Sequence, residues 1–173
     1  LKDFDEREIA SSWKMQEPFK EVKRIEEYYP IGENDSEEEK TYFAYNAVIG
    51  TSLDRELYLA FQILNRALFT APGAPVKKAL MDAQIGKDVS SSYDNGIWQP
   101  IFSIEAQEAR EDQEKEFVSI IEENLQKIAE EGIPKRSLTA AFNFYEFHYK
   151  EANFGRFPKG LMYGLQMYDS WLY

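Results

Sequence analysis

The chain has no cysteine and one histidine, His148, among 173 residues. Without cysteine there is no disulfide framework and no thiolate for metal or redox chemistry. The absence also fits a reducing compartment, so an intracellular setting is expected, cytoplasmic or in an organelle matrix. A zinc site needs three or four ligands at fixed spacing, and a single imidazole leaves the set short. Positive charge is scarce: 20 Lys and Arg stand against 31 Asp and Glu, a net −11. Nucleic acid, whose phosphates need a basic footprint, is therefore not an expected partner. No apolar run approaches the roughly 20 residues that span a bilayer, so no membrane partner is expected either. No signal-peptide pattern opens the chain, and neither G-x-S-x-G nor P-loop spacing occurs. Any Ser-His-Asp arrangement would have to use His148, and no nucleophile is visibly paired with it.

Hydrophobic residues make up 43% and aromatics 15%, enough to build the core of one globular domain. The excess acid lies mostly in helical or linker segments, which reads as solvated faces; the pair Glu122 and Glu123 is of this kind. The chain starts at Leu1 rather than Met, and Tyr173 closes a helical pattern in mid-course, so an excised piece of a longer protein is expected.

Residues Leu1 to Asn34 have no clear period and carry Pro18, Pro30, Gly32 and scattered aromatics (Phe4, Trp13, Phe19, Tyr28, Tyr29), the pattern of an extended connector. A charged tip, Asp35 to Lys40, precedes a strand from Thr41 to Ile49 that is apolar on both faces, which predicts a central, covered strand. Ser52 is the expected cap of a helix whose apolar residues (Leu53, Leu57, Phe61, Leu64 and Leu68, with Leu59 and Ile63 opposite) run almost all round, the pattern of a buried helix. Ala71 to Pro75 breaks it, and Pro75 opens a short helix stopped by Gly86. Val89, Ser91 and Tyr93 alternate with Ser90 and Ser92, and Asp94-Asn95-Gly96 signals a hairpin. The return strand is expected from Ile97 to Ala106, with an unpaired side or bulge at Pro100. The rest is helical: a stripe of Phe117, Ile120, Ile121, Leu125 and Ile128 stopped by Gly132, a second face of Leu138, Ala141, Phe142, Tyr145, Tyr149 and Ala152 begun near Pro134, and a third of Leu161, Leu165, Tyr168 and Leu172. One strand, two helices, two strands and three helices predict an α+β fold, an antiparallel sheet packed against helices.

That order and four stretches of sequence resemble the insulinase (pitrilysin) family of zinc metallopeptidases, in particular its presequence-protease and falcilysin-like branch. The stretches are Y-F-A-Y-N-A-V-I-G, A-P-G-A-P-V-K-K-A-L-M-D-A-Q-I-G-K-D-V-S-S-S, F-V-S-I-I-E-E-N-L-Q-K-I-A-E-E-G-I-P and F-H-Y-K-E-A-N-F-G-R-F-P-K-G-L. The resemblance implies a metallopeptidase-like half-domain, the second and non-catalytic one of four, with residues 1–34 as a connector from a preceding domain and residues 35–173 as the domain itself. It implies a zinc-dependent oligopeptidase that degrades short unstructured peptides in a closed chamber. Its zinc motif, H-x-x-E-H, belongs to another domain, so no cofactor is expected in this chain. The partners implied are the other domains of the same polypeptide and unfolded peptides. The chain ends before the last helix and strand that such a domain implies, so its C-terminal part is expected to be truncated. The alternative within the same superfamily is a stand-alone, non-catalytic assembly subunit of the processing-peptidase type.

His148 opens H-Y-K-E-A, one residue short of H-x-x-E-H because Ala152 stands where the second His would be; a packed or interface histidine is the expectation. No catalytic or metal-binding residue is assigned. The candidate substrate-binding residues are Ser90, Ser91 and Ser92, within Asp88 to Tyr93. By the resemblance this strand edge and the small-residue loop before it form a site for a substrate's N-terminus, since an extended peptide can add to a sheet edge through its main chain. The plainer reading is an ordinary strand with one wet face. Tyr163, Tyr168, Trp171 and Tyr173 are expected to form core or a domain interface.

Overall fold

This computed structural model describes residue 5, residues 14–152 and residues 154–171. The elements run β1 (Thr41–Val48), α1 (Arg55–Asn65) with a wide helical turn continuing it (Arg66–Thr70), α2 (Pro75–Asp82), β2 (Asp88–Asp94), β3 (Ile101–Ala109), a short turn (Glu111–Gln113), α3 (Glu114–Glu131), α4 (Lys135–Glu151) and α5 (Lys159–Trp171). This is the predicted α+β order. The expected positions at Phe4, Trp13, Leu172 and Tyr173 lie outside the described residues.

The three strands form one antiparallel sheet in the order β1-β3-β2, so both β1 and β2 are edges among the described residues. The expectation of a central β1 is thus corrected. Its aromatic, β-branched composition marks a strand, but composition does not distinguish an edge from a centre. The register sets three rows on the helix-packed face: Phe43–Ala106–Val89, Tyr45–Ile104–Ser91 and Ala47–Phe102–Tyr93. The opposite face carries Ala44–Glu105–Ser90 and Asn46–Ser103–Ser92. Near the end of β3 the register slips: Thr41 faces Ala109 while Phe43 faces Ala106, and Glu108 takes φ 53°. The extra residue returns Ala109, which is buried, to the core side.

Phe43 stacks on Phe117 of α3 at 5.5 Å, and Phe102 is ringed by Phe61, Phe69 and Tyr93. Val76, Leu80, Ile85, Val89, Ile104 and Ile121 complete the core. Helix α2 packs on α3, and α4 lies against α1 and the wide turn, where Ala141 is fully buried.

Several boundaries differ from expectation. Asp54, not Ser52, caps α1, its Oδ1 accepting the Leu57 N–H at 2.9 Å. Ser52 is buried instead, and its N–H donates to the Trp98 carbonyl at 3.0 Å, pinning the hairpin loop to the end of β1. β3 begins at Ile101, not Ile97, because residues 95–100 form a longer link and Pro100, lacking an N–H, stays outside the ladder. Helix α1 has no fully buried residue; Leu53 precedes it and is 51% exposed, and Leu59 is 44% exposed. The short helix ends at Asp82, ahead of Gly86. On α4, Phe142 points outward while Ala141 is buried, as is Ala152 just past the end of the helix. No described helix is long and apolar enough to cross a membrane.

Candidate substrate-anchoring edge

The strand β2 is positioned at its start by a close approach. Gly86 takes φ 65°, and a Cβ there would lie 2.5 Å from the Gln107 carbonyl oxygen. The same oxygen accepts the Lys87 N–H at 2.8 Å. Gln113, buried at the foot of α3, donates from Nε2 to the Gln84 carbonyl at 3.0 Å and closes the corner. Asp88 begins the strand, paired with Lys77 of α2 at 3.3 Å across exposed surface. The small-residue loop before α2 turns through an Ala74 N–H to Ala71 carbonyl bond of 3.0 Å, leaving Pro72 and Gly73 exposed and Ala74 buried.

The register decides which main-chain groups are free. Ile49 donates its N–H to the Pro100 carbonyl at 2.8 Å, one step beyond the Val48–Ile101 pair. Because bonding sides alternate along an antiparallel strand, Phe102, Ile104 and Ala106 turn their backbone groups to β1. Ser103, Glu105 and Gln107 then turn theirs to β2, where they meet Ser92, Ser90 and Asp88. The N–H and C=O groups of Val89, Ser91 and Tyr93 are left on the open side. Val89 shows this directly: its N–H donates to the Asp88 carboxylate at 2.8 Å.

The three serines are therefore not equivalent. Ser91 offers main chain to the open side, but its hydroxyl turns towards the helices and donates to Asn65 Oδ1 at 2.6 Å. Ser90 and Ser92 are bonded to β3 through the backbone and carry their side chains on the helix-free face, Ser92 exposed and Ser90 half-buried. The expected cluster thus divides between a backbone edge and a small, polar surface beside it. Asn65 was missed from sequence; an amide between Leu64 and Arg66, at the end of an apolar helical pattern, was the available signal.

The ionisable groups around the edge do not assemble a proton-transfer site. Burial pushes the Tyr93 phenol up, with Asp54 adding to it. Tyr58 is pushed up to about 12, first by burial and then by the Asp169 carboxylate. Burial also raises Asp169, and Asp94 repels its charge further. Among the described residues no three His, Cys, Asp or Glu side chains stand close enough to hold a metal ion. His148 is half-buried in an aromatic group, parallel to Phe144 at 6.2 Å and edge-on to Phe154 at 5.5 Å, as expected of a packed histidine. Glu122 and Glu123 are exposed. Tyr163, Tyr168 and Trp171 are exposed on α5, the last two stacked at 5.7 Å. What the arrangement can do chemically is hold a chain by its backbone.

Comparison with known proteins places the chain in a family. Residues 1–145 match the family described as the Peptidase M16 inactive domain. Over all 173 residues the chain is 39% identical to Protein HypA of Clostridium perfringens (strain 13 / Type A), covering 18% of that protein. Over 166 residues, 95% of the chain, it is 31% identical to Presequence protease 1, chloroplastic/mitochondrial, of Arabidopsis thaliana, covering 15% of that protein. The chain spans less than a fifth of the length of either relative. With the strand–helix order and the match over most of its length, this chain belongs to the peptidase M16 inactive-domain family.

Proposed function

We propose that this chain is the structural and substrate-anchoring domain of a zinc-dependent oligopeptidase that degrades short unstructured peptides. In this reading residues 1–34 connect it to a preceding domain, and residues 35–173 repeat the peptidase fold without its metal motif. The zinc, the activated water and the proton-transfer carboxylate belong to other domains of the same polypeptide. The role of this chain is to hold one end of a long substrate while another part is cut, within an intracellular compartment.

The observation that carries the proposal is the open side of β2. Ser91 and Tyr93 present main-chain N–H and C=O groups, and Val89 its C=O, which is what an extended peptide needs to add itself as a strand. The side chains of Ser90 and Ser92 keep the neighbouring surface small and polar, so a passing peptide of any sequence meets little steric bar. The likeness to Presequence protease 1 supports peptide substrates, and the small share of each relative covered supports a domain over a stand-alone subunit.

The test uses the full polypeptide and two peptides, one long enough to reach from the catalytic centre to β2 and one too short. Ser91→Pro removes the outward N–H and should raise KM for the long peptide a few-fold, the equivalent of one hydrogen bond of roughly 0.5–1.5 kcal/mol. Charged residues at Ser90 and Ser92 test the same surface without altering the backbone. Equal effects on both peptides, or none in a stably folded variant, would leave β2 an ordinary strand. A full reading frame lacking H-x-x-E-H upstream would favour the stand-alone subunit.

A further inference from the structure

The Asp94-Asn95-Gly96 stretch carries chemistry apart from its place in the hairpin. Asparagine is thermolabile, because the backbone nitrogen of the residue after it can attack its side-chain carbonyl carbon. Folding normally prevents this by tying up the N–H on that nitrogen. The Asp35 N–H, after Asn34, donates to the Gly32 carbonyl at 2.9 Å, and the Arg66 N–H, after Asn65, donates to Gln62 and Ile63. Ala47, after Asn46, is bonded to β3 opposite Phe102. Leu125 and Phe144 follow Asn124 and Asn143 inside α3 and α4, where helical bonding holds their N–H groups. The side chains of Asn65 and Asn124 are held as well, by the Ser91 hydroxyl and the Ile120 carbonyl.

Asn95 has neither restraint. The ladder ends at the Asp94–Ile101 pair, so Asn95 and Gly96 lie in the link beyond it. Among the described residues the Gly96 N–H and the Asn95 side chain make no hydrogen bond, and no other asparagine is followed by an unbonded N–H. Gly96 is exposed, so water reaches it. Lacking a Cβ, it puts no side chain in the path of attack, and its backbone adapts readily. A Cβ built there would meet a single group within 4 Å, Asp169 Oδ1 of α5 at 3.6 Å.

We propose that Asn95 is a site of covalent modification, an asparagine that the fold leaves free to close a succinimide ring and take up water. The Gly96 nitrogen forms a bond to Asn95 Cγ and the bond from Cγ to Nδ2 breaks. The proton lost from the Gly96 N–H leaves with the side-chain nitrogen as ammonia. Water then opens the ring. Cleavage of the new Cγ–N bond gives an aspartate; cleavage of the original backbone C–N bond gives an isoaspartate, whose main chain runs through Cγ. Either product adds a negative charge. At that position the charge is close to the Asp169 carboxylate, since neighbouring Cα atoms are about 3.8 Å apart and screening at physiological salt takes about 8 Å. Asp94 already repels Asp169. Helix α5 is lightly held elsewhere: Tyr163 meets Phe154 edge-on and Lys159 Nζ donates to the Glu151 carbonyl at 3.0 Å, while Leu161, Leu165, Met167 and Trp171 stay more than half exposed. The modification therefore loosens α5 from the hairpin.

The experiment is peptide mapping by mass spectrometry after the full polypeptide has been held warm at neutral pH, with the free peptide of residues 92–99 as reference. Asn95 should convert at a rate near that of the free peptide, ahead of Asn34, Asn46, Asn65, Asn124 and Asn143, and yield aspartate and isoaspartate together. Slowing by about a hundredfold or more in the folded protein, the mark of a site that must first open, would overturn the proposal. So would earlier conversion at any of the other five. Gly96→Ala meets only an ordinary contact in the fold and should slow conversion several-fold; an unchanged rate would remove Gly96 from its role. Asn95→Asp carries the added charge from the start. Its α5 amides should exchange hydrogen a few-fold faster than those of the parent, and Asp169→Asn should cancel the difference. Unchanged exchange in α5 would overturn the effect on that helix.

Discussion

The Ser91 hydroxyl and the Asn65 side-chain carbonyl meet at 2.6 Å, tying the middle of β2 to the last residue of α1. The same serine presents its N–H and C=O to the open edge, so its side chain and main chain have separate duties. Ser91→Ala should lower stability by about 0.5–1.5 kcal/mol while leaving the KM for long peptides nearly unchanged. Ser91→Pro should disturb peptide binding. Denaturation curves and KM values on both variants separate the two; matching changes in both quantities would show that the duties are coupled.

Phe117 joins α3 to the sheet through its stack on Phe43 and is 2% exposed. Phe117→Ala should cost about 3–5 kcal/mol, and Ile121→Val, one turn on, about 0.5–1.5 kcal/mol. Urea midpoints measure both. A small loss for Phe117→Ala would mean that α3 is held chiefly by its contacts with α2.

Two glycines with similar backbone angles should respond differently to alanine. Gly86 and Gly73 have φ of 65° and 74°. Nothing lies within 4 Å of a Cβ built on Gly73, whereas one on Gly86 would strike the Gln107 carbonyl. Gly73→Ala should cost about 1 kcal/mol, the left-handed backbone term alone. Gly86→Ala should cost clearly more and weaken protection of the Lys87 amide. Equal melting temperatures for the two variants would refute the close approach.

Alkali should loosen the domain from the α1 side. Burial holds the Tyr58 phenol neutral up to about 12 against an ordinary 10.0, and raises Tyr93, Tyr145 and Tyr149 in the same direction. A phenol whose folded value is raised contributes stability that is complete below pH 10 and is lost as the pH climbs towards 12. Phenolate absorbance and circular dichroism should therefore change together over that window, and Tyr58→Phe should shift the transition to higher pH.

His148 should prove to be a packing residue. Its place against Phe144 and Phe154 predicts that His148→Phe keeps the fold and that purified protein holds no structural zinc. Metal analysis finding one tightly held zinc per chain, lost on His148→Ala, would reverse this.

Element order was legible in the sequence because punctuation is local: Pro75, Gly132 and Pro134 mark helix ends by their own backbone restrictions. Strand position was not, since whether β1 is bonded on one side or two depends on partners distant in the chain. The cap of α1 moved from Ser52 to Asp54 because Ser52 is held by Trp98, a contact between loops that no local pattern encodes. The serine run was visible as a candidate, but its division into an inward hydroxyl and outward backbone came only with the register.

β3 is the one described strand bonded on both sides, and that constrains how the chain can change length. An inserted or deleted residue between Ile101 and Gln107 would move the register against β1 and β2 at once and turn Phe102, Ile104 and Ala106 away from the core. The bulge at Glu108 absorbs one such insertion where β3 leaves β2, beyond the last paired row. Length variation among homologous chains should therefore collect in residues 95–100 and after Ala109, with the stretch between them of fixed size.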